Sequence, residues 1–119
     1  MLVKKFADLT EIVAADSTVL RETLSGLNDQ VKCRYSLAHA KLSPGKKSLK
    51  HALKTSEVYY IVRGYGKMHI NDEVEVVGER DTVYIPPEAV QYIENIGDVD
   101  LEFICIVDPA WKLEDEILV

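Results

Sequence analysis

Apolar and polar residues alternate in short runs along most of this chain, and the runs are cut by turn residues. Residues 1–16 mix apolar and acidic positions without clean periodicity, which predicts a short leading strand or turn followed by a loop. Residues 18–24 (TVLRETL) fit one helical turn through Val19, Leu20 and Leu24, or a strand with Leu20, Glu22 and Leu24 on one face. The turn signal at residues 26–29 and the strands that follow favour the strand. Residues 31–42 (VKCRYSLAHAKL) read as a strand stopped by Ser43-Pro44-Gly45. Residues 58–62 are β-branched and aromatic, and Gly64 and Gly66 supply the next reversal. Residues 67–70 and 74–77 form a hairpin about Asn71-Asp72. Residues 82–85 precede Pro86-Pro87, residues 90–93 precede a turn at 95–98, and residues 101–107 (LEFICIV) read as a strand buried on both faces. Beyond Pro109-Ala110 the tail WKLEDEILV is expected to pack Trp111 and Leu113 against the body or a partner subunit. About eight to ten short strands with almost no helix predict an all-β sandwich or barrel.

Composition narrows the picture. The chain has 119 residues, the size of one domain spanning 1–119, with 47% hydrophobic and 29% charged residues, as in an ordinary globular protein. A net charge of −6 argues against a nucleic-acid partner. Lys46, Lys47, Lys50 and Lys54 are the nearest thing to a basic cluster, and a solvated loop is the simpler reading of them than a phosphate site. No apolar run approaches the ~20 residues of a membrane span, and acidic residues interrupt the N-terminal stretch, so the expected location is the cytoplasm. Cys33 and Cys105 lack a Cys-x-x-Cys partner and are expected as reduced, buried thiols, with a redox pair as the alternative.

The chemistry centres on His51 and Glu57. Six residues apart on one strand they would lie about 20 Å from each other. A reversal at Lys54-Thr55-Ser56 would instead set them on adjacent strands about 5 Å apart. Around them Gly45, His51, Glu57 and Gly64 match in register the first motif of the cupin superfamily, and Pro86 and Asn95 match its second. The chain therefore resembles a small single-domain cupin over residues 44–95. The resemblance implies an antiparallel β-barrel, a jelly roll of two facing sheets. It also implies an interior site for a small-molecule ligand and pairing into a homodimer, for which Trp111 is a candidate anchor.

The departures from the motifs bear on the site. Leu53 stands at the first motif's second His, Gln91 at the second motif's His, and Arg80 and Glu88 at its two Gly positions. The family's metal set is thus reduced to His51, Glu57 and Gln91. The ion it would hold is divalent (Mn, Fe, Zn or Ni), and one nitrogen with two oxygens suits Mn²⁺ or Fe²⁺ best. Glu57 and Tyr59 are the candidate proton-moving residues of an isomerase, dioxygenase or lyase. The alternative is a metal-free binding or sensing barrel in which His51, Glu57 and Gln91 bond one another or a ligand. By parity His39 and His69 face outward, although the small alanines around His39 leave it the alternative of adding a donor to the site, and Phe103 and Cys105 are wall residues.

Overall fold

A computed structural model describes all residues, 1–119, and shows two antiparallel sheets folded over one interior. The strands are β1 (Ile12–Val13), β2 (Val19–Ser25), β3 (Ser36–Leu42), β4 (His51–Leu53), β5 (Ser56–Arg63) and β6 (Gly66–Ile70). They continue with β7 (Glu73–Val77), β8 (Thr82–Ile85), β9 (Gln91–Asn95), β10 (Leu101–Asp108) and β11 (Glu116–Leu118). Six of them lie in the order β1-β2-β3-β10-β5-β8, and the other five in the order β11-β4-β9-β6-β7. This is the expected all-β barrel. Only two single 3-10 turns, Phe6–Asp8 and Leu113–Asp115, interrupt it, and no helix is long and apolar enough to cross a membrane.

The two-residue period of a strand decides what enters the interior. On β5 the inward residues are Glu57, Tyr59 and Ile61; on β10 they are Leu101, Phe103, Cys105 and Val107; on β9 they are Gln91, Ile93 and Asn95. Register stacks them in layers. Phe103 lies opposite Ile61, Cys105 opposite Tyr59 and Val107 opposite Glu57, while Met68 lies opposite Ile93 and Ile70 opposite Gln91. The interior consequently has an apolar end around Ile61, Phe103, Leu101, Ile93 and Met68, all buried. Its other end holds the buried polar residues Glu57, Gln91 and His51.

The expected strand from 31 begins only at Ser36, and Cys33 sits half-buried in the irregular segment before it; both cysteines are free thiols. Residues 101–107 are not buried on both faces: burial alternates, and Ile106 is exposed on the outer side. An apolar outer position looks the same in sequence as a buried one. The tail adds β11, which pairs with β4. Trp111 is half-buried and Leu113 exposed. The Trp111 indole N–H donates to Glu116 Oε1 at 3.2 Å and its backbone N–H to Ser36 Oγ at 2.9 Å.

Candidate functional site

The motif positions divide into backbone and chemistry. Gly45 and Gly64 take the left-handed conformation, φ 75° and 86°, at which a side chain is strained. Asn95 ties strand ends together: its amide N–H groups donate to the carbonyls of Leu42 and Val99, and its oxygen accepts from the Gly97 N–H. Arg80 and Glu88, where the motif has glycine, keep the same backbone, φ 69° and 68°, despite their side chains. The Arg80 N–H donates to the Ile61 carbonyl at 2.8 Å and the Glu88 N–H to the Leu53 carbonyl at 2.6 Å, which hold both residues there. Among the matched positions only His51 and Glu57 carry titratable groups into the interior.

Their placement differs from expectation. The segment between them is a corner, not a hairpin: β4 belongs to the five-stranded sheet and β5 to the six-stranded one. The imidazole and the carboxylate therefore enter from facing sheets. Gln91 links the two sheets, pairing with His51 across β4 and β9 and reaching over to β5. Its amide Nε2 donates to Glu57 Oε1 at 2.9 Å, and its Oε1 accepts from the Tyr59 hydroxyl at 3.0 Å. Glu57, Gln91 and Tyr59 thus form a continuous buried chain, with the Tyr59 ring 4.5 Å from that of Phe103.

Burial sets the electrostatics of this chain. It pushes the Glu57 carboxyl up to about 8, against the lowering effect of the Gln91 hydrogen bond and with the help of the nearby Asp16 and Glu116 charges. At neutral pH Glu57 is mostly a carboxylic acid. Burial likewise drives the Tyr59 phenol and the Cys105 thiol well above their ordinary values, with the Glu57 charge adding to both. His51 is 2% exposed. Its Nδ1 lies 2.9 Å from the Leu49 carbonyl, which can only accept, so Nδ1 is the donor and a neutral ring has its lone pair on Nε2.

Two further residues at this end had no signal in the sequence. Asp16 follows β1 in a stretch without periodicity, and Glu116 is one of three consecutive acids in the tail. Thr18 fixes one oxygen of Asp16 through its N–H (3.1 Å) and hydroxyl (2.7 Å), and the other oxygen stands 3.8 Å from His51 Nε2, too far for a hydrogen bond. Glu116 is bonded by Trp111 through Oε1, while its Oε2 is buried without a partner. Burial raises its affinity for a proton; the Trp111 bond and His51 lower it, and Asp16 raises it. Both acids come from the terminal segments. Strand pairing, not local pattern, brings them in.

The remaining histidines face outward as parity predicts. His39 lies against Phe6 and Glu102, and His69 stacks on Tyr92 at 4.0 Å and bonds Glu94 at 2.9 Å. Phe103 and Cys105 are buried wall residues.

Comparison with known proteins agrees with this architecture. The chain is 41% identical over 108 residues to an uncharacterized protein of Methanocaldococcus jannaschii, covering 89% of this chain and 86% of that one. It is 29% identical over 86 residues to the mannose-1-phosphate guanylyltransferase ManC of Salmonella typhimurium; this match covers 71% of the chain but only 18% of the transferase's length. Among solved structures, a predicted oxalate decarboxylase of Thermotoga maritima superposes with a TM-score of 0.78 at 25% identity, covering 91% of this chain and 99% of that one. Oxalate decarboxylase of Bacillus subtilis superposes with a TM-score of 0.83 at 21% identity, covering 96% of this chain and 31% of that one, a likeness of fold. The Cupin domain family model matches residues 38–107, which contain His51, Glu57 and Gln91, and this chain belongs to the cupin family.

Proposed function

We propose that the polar end of the barrel is a small-molecule site that exchanges protons with an oxygen-rich ligand. Glu57 enters as a neutral acid and the Nε2 of His51 as the base. The observation that carries this reading is the buried chain Glu57–Gln91–Tyr59, whose carboxyl holds its proton up to about pH 8. A group titrating near the working pH is suited to giving and taking a proton, and a neutral acid hydrogen-bonds a carboxylate or hydroxyl ligand without repelling it. Tyr59 orients Gln91, and Gln91 orients Glu57. Such proton transfer serves isomerase and lyase reactions alike. The names of the relatives, a predicted oxalate decarboxylase and a mannose-1-phosphate guanylyltransferase, suggest small oxygen-rich compounds as probes.

A divalent ion on His51, Glu57 and Gln91 is the second reading. One observation favours it: the Leu49 carbonyl orients His51 as carbonyls orient metal-bound imidazoles. The donors as a set fit poorly. Gln91 spends its oxygen on Tyr59 and turns its N–H groups toward Glu57, and no three His, Cys, Asp or Glu side chains are grouped to hold a metal. Homodimer formation is part of the proposal, supported by exposed edge strands and the apolar outer positions Tyr60, Tyr84 and Ile106; sedimentation measures it.

Titration of ¹⁵N-labelled protein with oxalate and with mannose 1-phosphate tests the function. At least one should shift the Gln91 side-chain amide, and its binding should weaken as pH rises through about 8, because an ionised Glu57 repels an anion. Perturbations that survive unchanged in Glu57→Ala, or none from either probe, would overturn the proposal. A parallel Mn²⁺ titration should show no one-to-one uptake, and uptake abolished by His51→Ala would establish the metal reading instead.

A further inference from the structure

Outside the barrel, a cavity of about 380 Å³ opens beside the segment that leads into β4. Its lining includes Lys47, Leu49, Lys50, Tyr92 and Leu118. Tyr92 alternates with the inward Gln91 and Ile93, so its ring lies on the outer face of the five-stranded sheet. The ammonium groups of Lys47 and Lys50 stand 6.0 and 5.5 Å from the centre of that ring. His69 stacks on the same ring, with 8° between the planes.

Two features set these lysines apart from a solvated basic loop. Neither takes part in any of the chain's ion pairs, although acidic residues outnumber basic ones by 20 to 14. The nearby Glu94 feels the charge of Lys47, but its carboxylate is taken by His69 at 2.9 Å. The backbone that carries the lysines is also fixed. Lys46 accepts from the Asn95 N–H, Ser48 donates to Ile93, Leu49 donates to Asp16 and Lys50 accepts from the Val119 N–H, all at 2.8–3.0 Å. Both ammonium groups therefore sit within about 6 Å of the Tyr92 ring without an ion-pair partner, at the rim of a cavity with an aromatic floor and leucine walls.

We propose that this cavity is a second binding site, separate from the barrel interior, for a ring-bearing organic phosphate. The paired ammonium groups match a phosphate dianion in charge, and the Tyr92 face with Leu49 and Leu118 matches a planar or apolar ring. The volume falls within the range of small-ligand pockets, ~300–1,000 Å³. Occupancy would be felt inside the barrel, because the carbonyl of Leu49 accepts from His51 Nδ1. The proposal rests on residues that the interior reading does not use, so either can fail alone.

Phenyl phosphate is the probe, followed by amide and side-chain shifts in the full chain. Saturable shifts should cluster at residues 47–50, at Tyr92 and at Leu118–Val119, with His51 following. Lys47→Met/Lys50→Met, two exposed positions, should weaken binding by roughly tenfold or more. Tyr92→Leu should weaken phenyl phosphate while leaving inorganic phosphate unchanged. Equal responses to inorganic and phenyl phosphate, or full binding in the double-lysine variant, would overturn the proposal. So would shifts of these residues with protein concentration alone, which would make the cavity a subunit contact.

Discussion

The two ends of the barrel are built on the same strands and differ in what the strands turn inward. At one end Ile61, Phe103, Leu101, Ile93 and Met68 close a core with no polar side chain among them. At the other, two residues back along β9, four back along β5 and on the neighbouring β4, Gln91, Glu57 and His51 are buried too. Apolar burial stabilises the first end by removing surface from water. The second end gains little from burial and must satisfy its polar groups; it gives Glu57, Gln91 and Tyr59 at least one partner each but leaves Glu116 Oε2 without one. One end is scaffold, and the other holds its chemistry at the expense of stability.

The largest test of this contrast is Glu57→Gln, which keeps the shape and removes the titration. In the unfolded chain the carboxyl ionises near 4.5, and in the folded chain near 8. Below 4.5 both states are protonated and the group costs nothing. Between 4.5 and 8 only the unfolded chain gives up its proton, so stability falls as pH rises, and above 8 the deficit is constant. At ~1.4 kcal/mol per pKa unit the full deficit is roughly 5 kcal/mol at most. Urea unfolding at pH 4.5 and pH 9 should show the variant level with the parent at the lower pH and several kcal/mol more stable at the higher.

Phe103→Ala is the counterpart at the apolar end. It should lose about 4 kcal/mol, equally at both pH values, because it removes packing and touches no charge. A strongly pH-dependent loss would mean that the two ends are not energetically separate. Next in size is Gln91→Leu, which strips Glu57 and Tyr59 of their shared partner. A loss of about 2 kcal/mol is expected in the same unfolding experiment. The Glu57 carboxyl should then titrate still higher, since the Gln91 bond is what lowers it. The smallest effects belong to Arg80→Gly and Glu88→Gly, outside both ends. Each relieves a left-handed residue and should raise stability by about 1 kcal/mol, read as a higher midpoint of thermal unfolding.

The apolar end was legible in sequence because alternation is a local signal. It placed the strands at 58–62 and 90–93, but the nearly all-apolar run 101–107 read as buried on both faces and hid that Phe103 faces in and Ile106 out; the glycine spacing marked Gly45 and Gly64. The polar end was legible only in part. His51, Glu57 and Gln91 were found through motif register, but the way they meet was not, since a polar tripeptide reads alike whether it turns a hairpin or a corner between sheets. Asp16 and Glu116 were invisible. Asp16 sits in the turn between β1 and β2 and is tied to the site by the distant Leu49 N–H, and Glu116 arrives through β11 pairing with β4; neither long-range contact lies in a local window. Arg80 and Glu88 taught the opposite lesson: the backbone of the motif survives where its glycines do not.

The direct measurement is a pH titration of the Glu57 side-chain carboxyl by ¹³C NMR, assigned through Glu57→Gln, on protein stripped of metal. The account predicts a single transition near pH 8, well apart from the other carboxylates. A Glu57 midpoint near 4.5 would contradict it: the buried chain would then carry a negative charge at neutral pH, and the neutral acid on which the proposed proton exchange depends would not exist.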